Sequence, residues 1–151
     1  MGHDVIIEIV DADQWARIRD IRLRSLKANP EAFGGTFEKE SAEDEAAWRE
    51  KFIKNEFLVA SVDGADAAIM YIEVLDGDFG ATCWIGGCWS DPAFRGKGLF
   101  SAMMRFVDSQ ERGWEVQGLG VWTDNHSAIA AYEKLGFKKN LVEMRIDLKK
   151  N

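Results

Sequence analysis

The sequence predicts a mixed α/β fold, with a central mixed, mostly antiparallel sheet flanked by helices. Three observations predict it. Phe57 to Val62, Ala67 to Leu75 and Thr82 to Trp89 are apolar runs of strand length, and the turns between them, Asp63-Gly64 and Asp76-Gly77-Asp78, are hairpin signals. Stretches with helical spacing stand before and after this meander. The third run then feeds Trp89-Ser-Asp-Pro-Ala-Phe-Arg-Gly-Lys-Gly-Leu-Phe-Ser101, which reads as a strand end, a glycine-rich turn and a helix start. A meander ahead of such a turn excludes a simple Rossmann repeat.

In chain order, Val5 to Val10 is a short β-branched run and reads as a first strand. Asp11-x-x-Gln14 has the form of a capping box, and Trp15, Ile18, Ile21 and Leu26 give the following helix a buried stripe. That helix should stop before Pro30, because a proline pushes the residue ahead of it out of the α region. The loop from Asn29 to Glu40 carries Phe33 and Phe37 around Gly34-Gly35. These aromatics either line a substrate pocket or pack down as a lid. Ser41 reads as the cap of a second helix, with Glu43, Asp44 and Glu45 in its first turn and Lys51 and Lys54 in its last, the charge order the helix dipole favours. Trp48 and Phe52 fall one turn apart and should face the core.

Gly86-Gly87 inside the third meander strand costs strand stability and needs a bulge or a close approach to the backbone. Cys83 and Cys88, the two cysteines, are five residues apart there, so they should point to opposite faces and form no bridge. Two thiols without other ligands make no zinc site, and no metal is expected. Beyond the turn, Leu99, Met103, Phe106 and Val107 form the core stripe of a helix from Leu99 to Arg112, and Gln117 to Val121 reads as a central strand. Asn125 precedes a helix whose buried face is Ala128, Ala131, Tyr132 and Leu135, closed by Gly136. Val142, Met144, Ile146 and Leu148 alternate as a last strand. No linker or repeat divides residues 1–151, so a single domain is expected.

The chain of 151 residues is 46% apolar, which suits a packed globular core, and its net charge is −7. That acidity disfavours nucleic acid and anionic membrane surfaces as partners and suits cationic amines. The absence of a signal-like or membrane-length apolar run leads to the expectation of a cytoplasmic protein.

The glycine-rich turn is where chemistry first shows. The first N–H groups of a helix lack internal partners and the macrodipole makes that end positive, so a strand–turn–helix junction suits a phosphate. Gly96 and Gly98 remove β-carbons that would hold a phosphate away, and Arg95 and Lys97 add positive charge. No Walker A run occurs, and Gly96-x-Gly98-x-x-Ser101 lacks the third glycine of a dinucleotide fingerprint.

Arg95-Gly96-Lys97-Gly98-Leu99-Phe100 resembles the Arg/Gln-x-x-Gly-x-Gly/Ala pyrophosphate loop of the GCN5-related N-acetyltransferase (GNAT) family. Asn125-His-Ser-Ala-Ile-Ala-Ala-Tyr132-Glu-Lys-Leu135-Gly136-Phe137 resembles that family's second signature, Asn…Ala…Tyr-x-x-Leu-Gly-Phe. The two stand in the right order at the right distance. The resemblance implies the acyl-CoA N-acyltransferase fold, acetyl-CoA (coenzyme A) as cofactor, and direct acetyl transfer to a primary amine of a small molecule or peptide. A protein α-amine or lysine is an alternative acceptor, a non-catalytic acyl-CoA-binding domain is an alternative of another class, and a homodimer is an assembly common in similar proteins.

The resemblance also implies roles. Arg95, Gly96, Lys97, Gly98, Leu99, Phe100 and Ser101 would hold the pyrophosphate. Backbone groups of Cys88, Trp89 and Ser90, together with Asn125, would hold the pantetheine arm, and Tyr132 would protonate the departing thiolate. Glu73, late in the neighbouring strand, is the candidate base, while Asp91 and Asp124 read as turn residues. Phe33 and Phe37 are the candidate acceptor contacts. Phe100 stands where the family pattern has Gly or Ala, so its ring must turn away. Ser90 replaces the usual aliphatic residue.

Overall fold

The computed structural model describes residues 4–74, 83–110, 117–121 and 124–138. Its strands are β1 (Val5–Val10), β2 (Asn55–Val62), β3 (Ala65–Val74), β4 (Cys83–Ser90) and β5 (Gln117–Leu119). They lie side by side in chain order; the first three pairings are antiparallel and β4–β5 is parallel. The β2–β3 turn uses Asp63 and Gly64, both at positive φ, as a tight hairpin requires. The second hairpin turn, Asp76-Gly77-Asp78, and the last strand, Val142 to Leu148, lie outside the described residues.

The helices are α1 (Trp15–Ala28), α2 (Phe37–Ser41), α3 (Glu45–Lys54), α4 (Leu99–Ser109) and α5 (His126–Lys134). They cover both faces of the sheet. On one face Ile18, Ile21, Leu26 and Trp48 of α1 and α3 pack on Val59, Ile69 and Trp89. On the other, Leu99, Met103, Met104 and Val107 of α4 pack on Leu58, Met70, Ile72 and Ile85, and Tyr132 of α5 joins them. Arginines fasten α1 to the sheet. Arg17 forks onto Asp66 at 2.9 and 2.8 Å and reaches Glu8 at 2.8 Å, and Arg24 binds Asp91 at 2.6 Å.

Several local expectations are corrected. Asp11 accepts from the N–H of Asp13 and starts a 3-10 turn, Ala12–Gln14, so no capping box forms; α1 follows from Trp15. Ser41 ends α2 rather than capping α3. Thr36 caps α2 and Asp44 caps α3, because Asp44 is the residue that turns a carboxylate onto the N–H of Ala47. The strand expected from Gln117 ends at Leu119.

The β4 bulge explains the glycine pair and overturns the reading of the cysteines. Ile69 pairs with Trp89 while Tyr71 pairs with Gly86, so β4 has one extra residue, and Gly87 sits at φ +60°. One inserted residue reverses the alternation. Cys88 therefore joins Cys83 against the same core cluster, while Trp89 turns to the other; both thiols remain free. The ring of Tyr71 fills the space over both glycines, and a β-carbon at Gly86 would land on it. Gly86→Ala should therefore cost about 1–3 kcal/mol in urea unfolding. Most of that cost should vanish in a Tyr71→Ala background, since the two residues share one space.

Candidate active site

The site lies where the sheet opens. β4 pairs with β5 only through Cys83, Trp84 and Ile85, and among the described residues no strand pairs with Gly86 to Ser90 on that side. The strand edge expected to hold a pantetheine arm is thus accessible there. Beyond it, Asp91 accepts from the N–H of Ala93 at 2.9 Å and starts a 3-10 turn, Pro92–Phe94. That N–H, followed by Arg24, holds the Asp91 carboxyl below its ordinary value. The Asp91 carboxylate is thus engaged by the Ala93 N–H on one oxygen and by Arg24 on the other. Asp124 and His126 are exposed at the start of α5.

Gly96 and Gly98 follow at φ +82° and +70°, with nothing within 4 Å of where their β-carbons would stand. Left-handed backbone, not crowding, asks for glycine, and the space before them is open. The first helical bond of α4 runs from the Ala102 N–H to the Gly98 carbonyl at 3.0 Å, so Leu99, Phe100 and Ser101 lie ahead of the ladder. Thr36, Asp44 and Asn125 cap α2, α3 and α5 with their side chains, but no side chain caps α4. Its N-terminus opens on a cavity of about 190 Å³ lined by Ser90, the loop, Phe100 and Ser101, with Ala131 and Leu135 of α5 opposite. This corrects the expected buried face of α5. Ala131 and Leu135 are exposed because they front this opening; Ala128 and Tyr132 are half-buried.

The Arg95 side chain turns back on the loop. It donates to the Ser90 carbonyl and to Asn29, each at 3.1 Å, and Asn29 also accepts from the Trp89 indole at 2.9 Å. The end of α1 therefore clamps both the end of β4 and the loop. Phe100 turns its ring inward, meeting Tyr132 edge-on with centroids 5.3 Å apart. The bulky residue at this position is absorbed by the core, and its N–H stays among the first three of α4.

Tyr132 is fixed from both sides. α5 ends in a Schellman turn: the Phe137 N–H reaches the Tyr132 carbonyl at 3.1 Å, the Gly136 N–H reaches Glu133 at 3.0 Å, and Gly136 takes φ +99°. The Phe137 ring packs on Tyr132 at 6.2 Å. Tyr132 and Cys88 pack against the same core cluster beside the open edge of β4, and the Cys88 thiol points at the Gly86 carbonyl at 3.9 Å. Burial first, then Cys88, raises the hydroxyl above its ordinary value, and burial pushes the Cys88 thiol up to about 12. Both groups therefore keep their protons at neutral pH. Asn125 caps α5 through the Ala128 N–H at 3.3 Å.

Across the sheet, Glu73 is half-buried on β3, on the same face as Tyr71. The two loop aromatics part company. Phe33 packs against the α1 core under the Arg22 guanidinium, 4.9 Å from its centroid, whereas Phe37 is exposed beneath Lys27. Arg22 also grips Glu40 of α2 at 2.9 and 3.0 Å, which ties the loop to α1. The structure thus gathers the loop, Ser90 and Phe100 around the cavity, and Cys88 with Tyr132 beside it. Glu73 and Phe33 lie on the opposite face.

The sequence model of the Acetyltransferase (GNAT) family matches residues 15–137. The chain belongs to the GNAT acetyltransferase family. Solved structures agree on the fold. An aminoglycoside acetyltransferase from an uncultured soil metagenomic sample is 19% identical, with 93% of this chain and 95% of that one covered at a TM-score of 0.73. A predicted acetyltransferase with acetyl-CoA from Clostridium acetobutylicum is 18% identical, over 91% and 92%, at 0.68. A ribosomal-protein-alanine N-acetyltransferase from Brucella melitensis biovar Abortus 2308 is 16% identical, over 91% and 94%, at 0.68. No curated protein matches the sequence. Within this GNAT chain, sequence reasoning missed Asn29, Arg22 and Tyr71. Only Tyr71 left a trace, since a glycine pair in a strand asks what lies over it.

Proposed function

We propose that this GNAT protein transfers the acetyl group of acetyl-CoA directly to a primary amine of a small molecule or peptide. One observation carries the reading: an N-terminus of α4 without a side-chain cap, behind two left-handed glycines, opens on a cavity beside a strand edge that no strand among the described residues pairs. That arrangement fits a pyrophosphate followed by an extended, amide-bearing arm. The residues fit the cofactor, because a β-carbon at Gly96 or Gly98 would meet only open space.

In this reading the thioester supplies an activated acetyl carbonyl. Backbone N–H groups of Gly98 to Ser101 bind the pyrophosphate, and the freed edge of β4 from Cys88 to Ser90 aligns the arm. Tyr132 gives its hydroxyl proton to the departing sulfur and recovers one from solvent. Glu73 takes the proton of the incoming amine, directly or through water. Phe33 and Glu40 border the acceptor's approach, and the acidic chain favours cationic amines.

The test is release of free thiol from acetyl-CoA against a panel of polyamines, aminoglycosides, amino acids and free-amine peptides. At least one amine should raise thiol release well above the buffer rate, with an N-acetyl product by mass spectrometry. Saturable acetyl-CoA binding without transfer to any amine would favour the non-catalytic binding domain instead.

A further inference from the structure

The β4 bulge is built around Tyr71, one of two tyrosines in the chain. Tyr71 stands directly opposite Gly86, and its ring lies across β4. Cδ2 and Cε2 lie over Gly87, while Cζ and the hydroxyl lie over Gly86. The phenol therefore ends at the first β4 residue beyond the Ile85–Leu119 pair, where the sheet opens. It occupies the face of α1 and Phe33, whereas Tyr132 sits with Cys88 on the face of α4 and α5. Arg22 Nη1 lies 3.5 Å from the β-carbon position of Gly87, so a guanidinium flanks the same spot.

We propose that Tyr71 is a second catalytic hydroxyl, donating a hydrogen bond to the acetyl oxygen from the acceptor side of the sheet. The proposal rests on the acetyl-transfer reading above. As the amine lone pair forms the C–N bond, the carbonyl π pair moves to oxygen, and the Tyr71 hydroxyl stabilises that charge without giving up its proton. When the pair returns, the C–S bond breaks, sulfur takes its proton from Tyr132, and the proton lost by nitrogen passes to the base and solvent. Burial raises the Tyr71 hydroxyl above its ordinary value, with Arg22 opposing, so the group is a donor throughout.

Tyr71→Phe keeps the ring in the glycine space and removes only the hydroxyl. Thiol release from acetyl-CoA is measured with hydroxylamine, a nucleophile already neutral at pH 7 that bypasses the base. Removing one such donor should slow it about 100-fold. A second readout does not depend on turnover. In carbon-13-labelled acetyl-CoA bound to the variant, the carbonyl stretch should move to higher frequency than in wild type, while calorimetry shows near-unchanged affinity. Unchanged turnover and an unchanged band would overturn the role of Tyr71 and leave the transferase reading intact. Absence of acetyl-CoA binding by the wild type would overturn both.

Discussion

Tyr132→Phe should lower acetyl transfer by about 10²–10⁴-fold, the usual contribution of a positioned acid, while acetyl-CoA affinity stays nearly the same. The ring is held by Phe100, Phe137 and the Schellman turn, none of which uses the hydroxyl, so the variant keeps its fold and its cavity wall. What is lost is the proton delivered to sulfur. The sign of the pH dependence follows from the same environment. An acid works while protonated, and the Tyr132 hydroxyl is raised above its ordinary value of about 10. The wild-type rate should therefore climb as the amine deprotonates and show no falling limb below about pH 10. A wild-type profile that turns down between pH 7 and 9 would exclude Tyr132 as the acid. A Phe variant with full turnover would likewise remove Tyr132 from the proton transfer while leaving the transferase reading in place.

Gly98→Trp should abolish acetyl-CoA binding. A tryptophan at φ +70° is strained, and its indole would enter the cavity that the first N–H groups of α4 face. A hydrogen bond to a charged group contributes about 1.5–3 kcal/mol, so losing two to a pyrophosphate corresponds to at least about a 100-fold weaker complex. Gly98→Ala separates strain from blockage. It bears the same backbone penalty with a small side chain in open space, and should weaken binding far less than tryptophan. Equal affinities for wild type and Gly98→Trp would place the cofactor elsewhere.

How much of this was legible in the sequence depended on the range of the interactions involved. The meander, the glycine-rich turn and α5 were readable because hairpin turns, left-handed glycines and a C-terminal Gly136 act locally. Cap positions were misread at Ser41 and Asp11, where several capping-type residues compete within a few positions and only the fold selects Asp44 and the 3-10 turn. The cysteine faces failed for a different reason. One bulge residue reverses every side chain after it, and alternation counted along the chain cannot locate it.

Within the site, the phosphate loop carried its own signal, but its supports did not. Asn29 reaches Trp89 and Arg95 across 60 and 66 residues, and nothing near Pro30 announces that clamp. Arg22 and Glu40 lie in different helices and meet only after folding. Tyr71 was half-visible: Gly86-Gly87 implied an occupant, yet the register that chooses Tyr71 comes from the hairpin.

The central claim is that acyl-CoA binds at the α4 N-terminus and along the open edge of β4. An acetyl-CoA titration followed by backbone amide NMR tests it most directly. The account predicts saturable shifts concentrated at Gly96, Gly98, Leu99, Phe100 and Ser101, continuing through Cys88 to Ser90, with the distant β1–β2 pair unmoved. Shifts confined to other surfaces, or none at saturating acetyl-CoA, would contradict it.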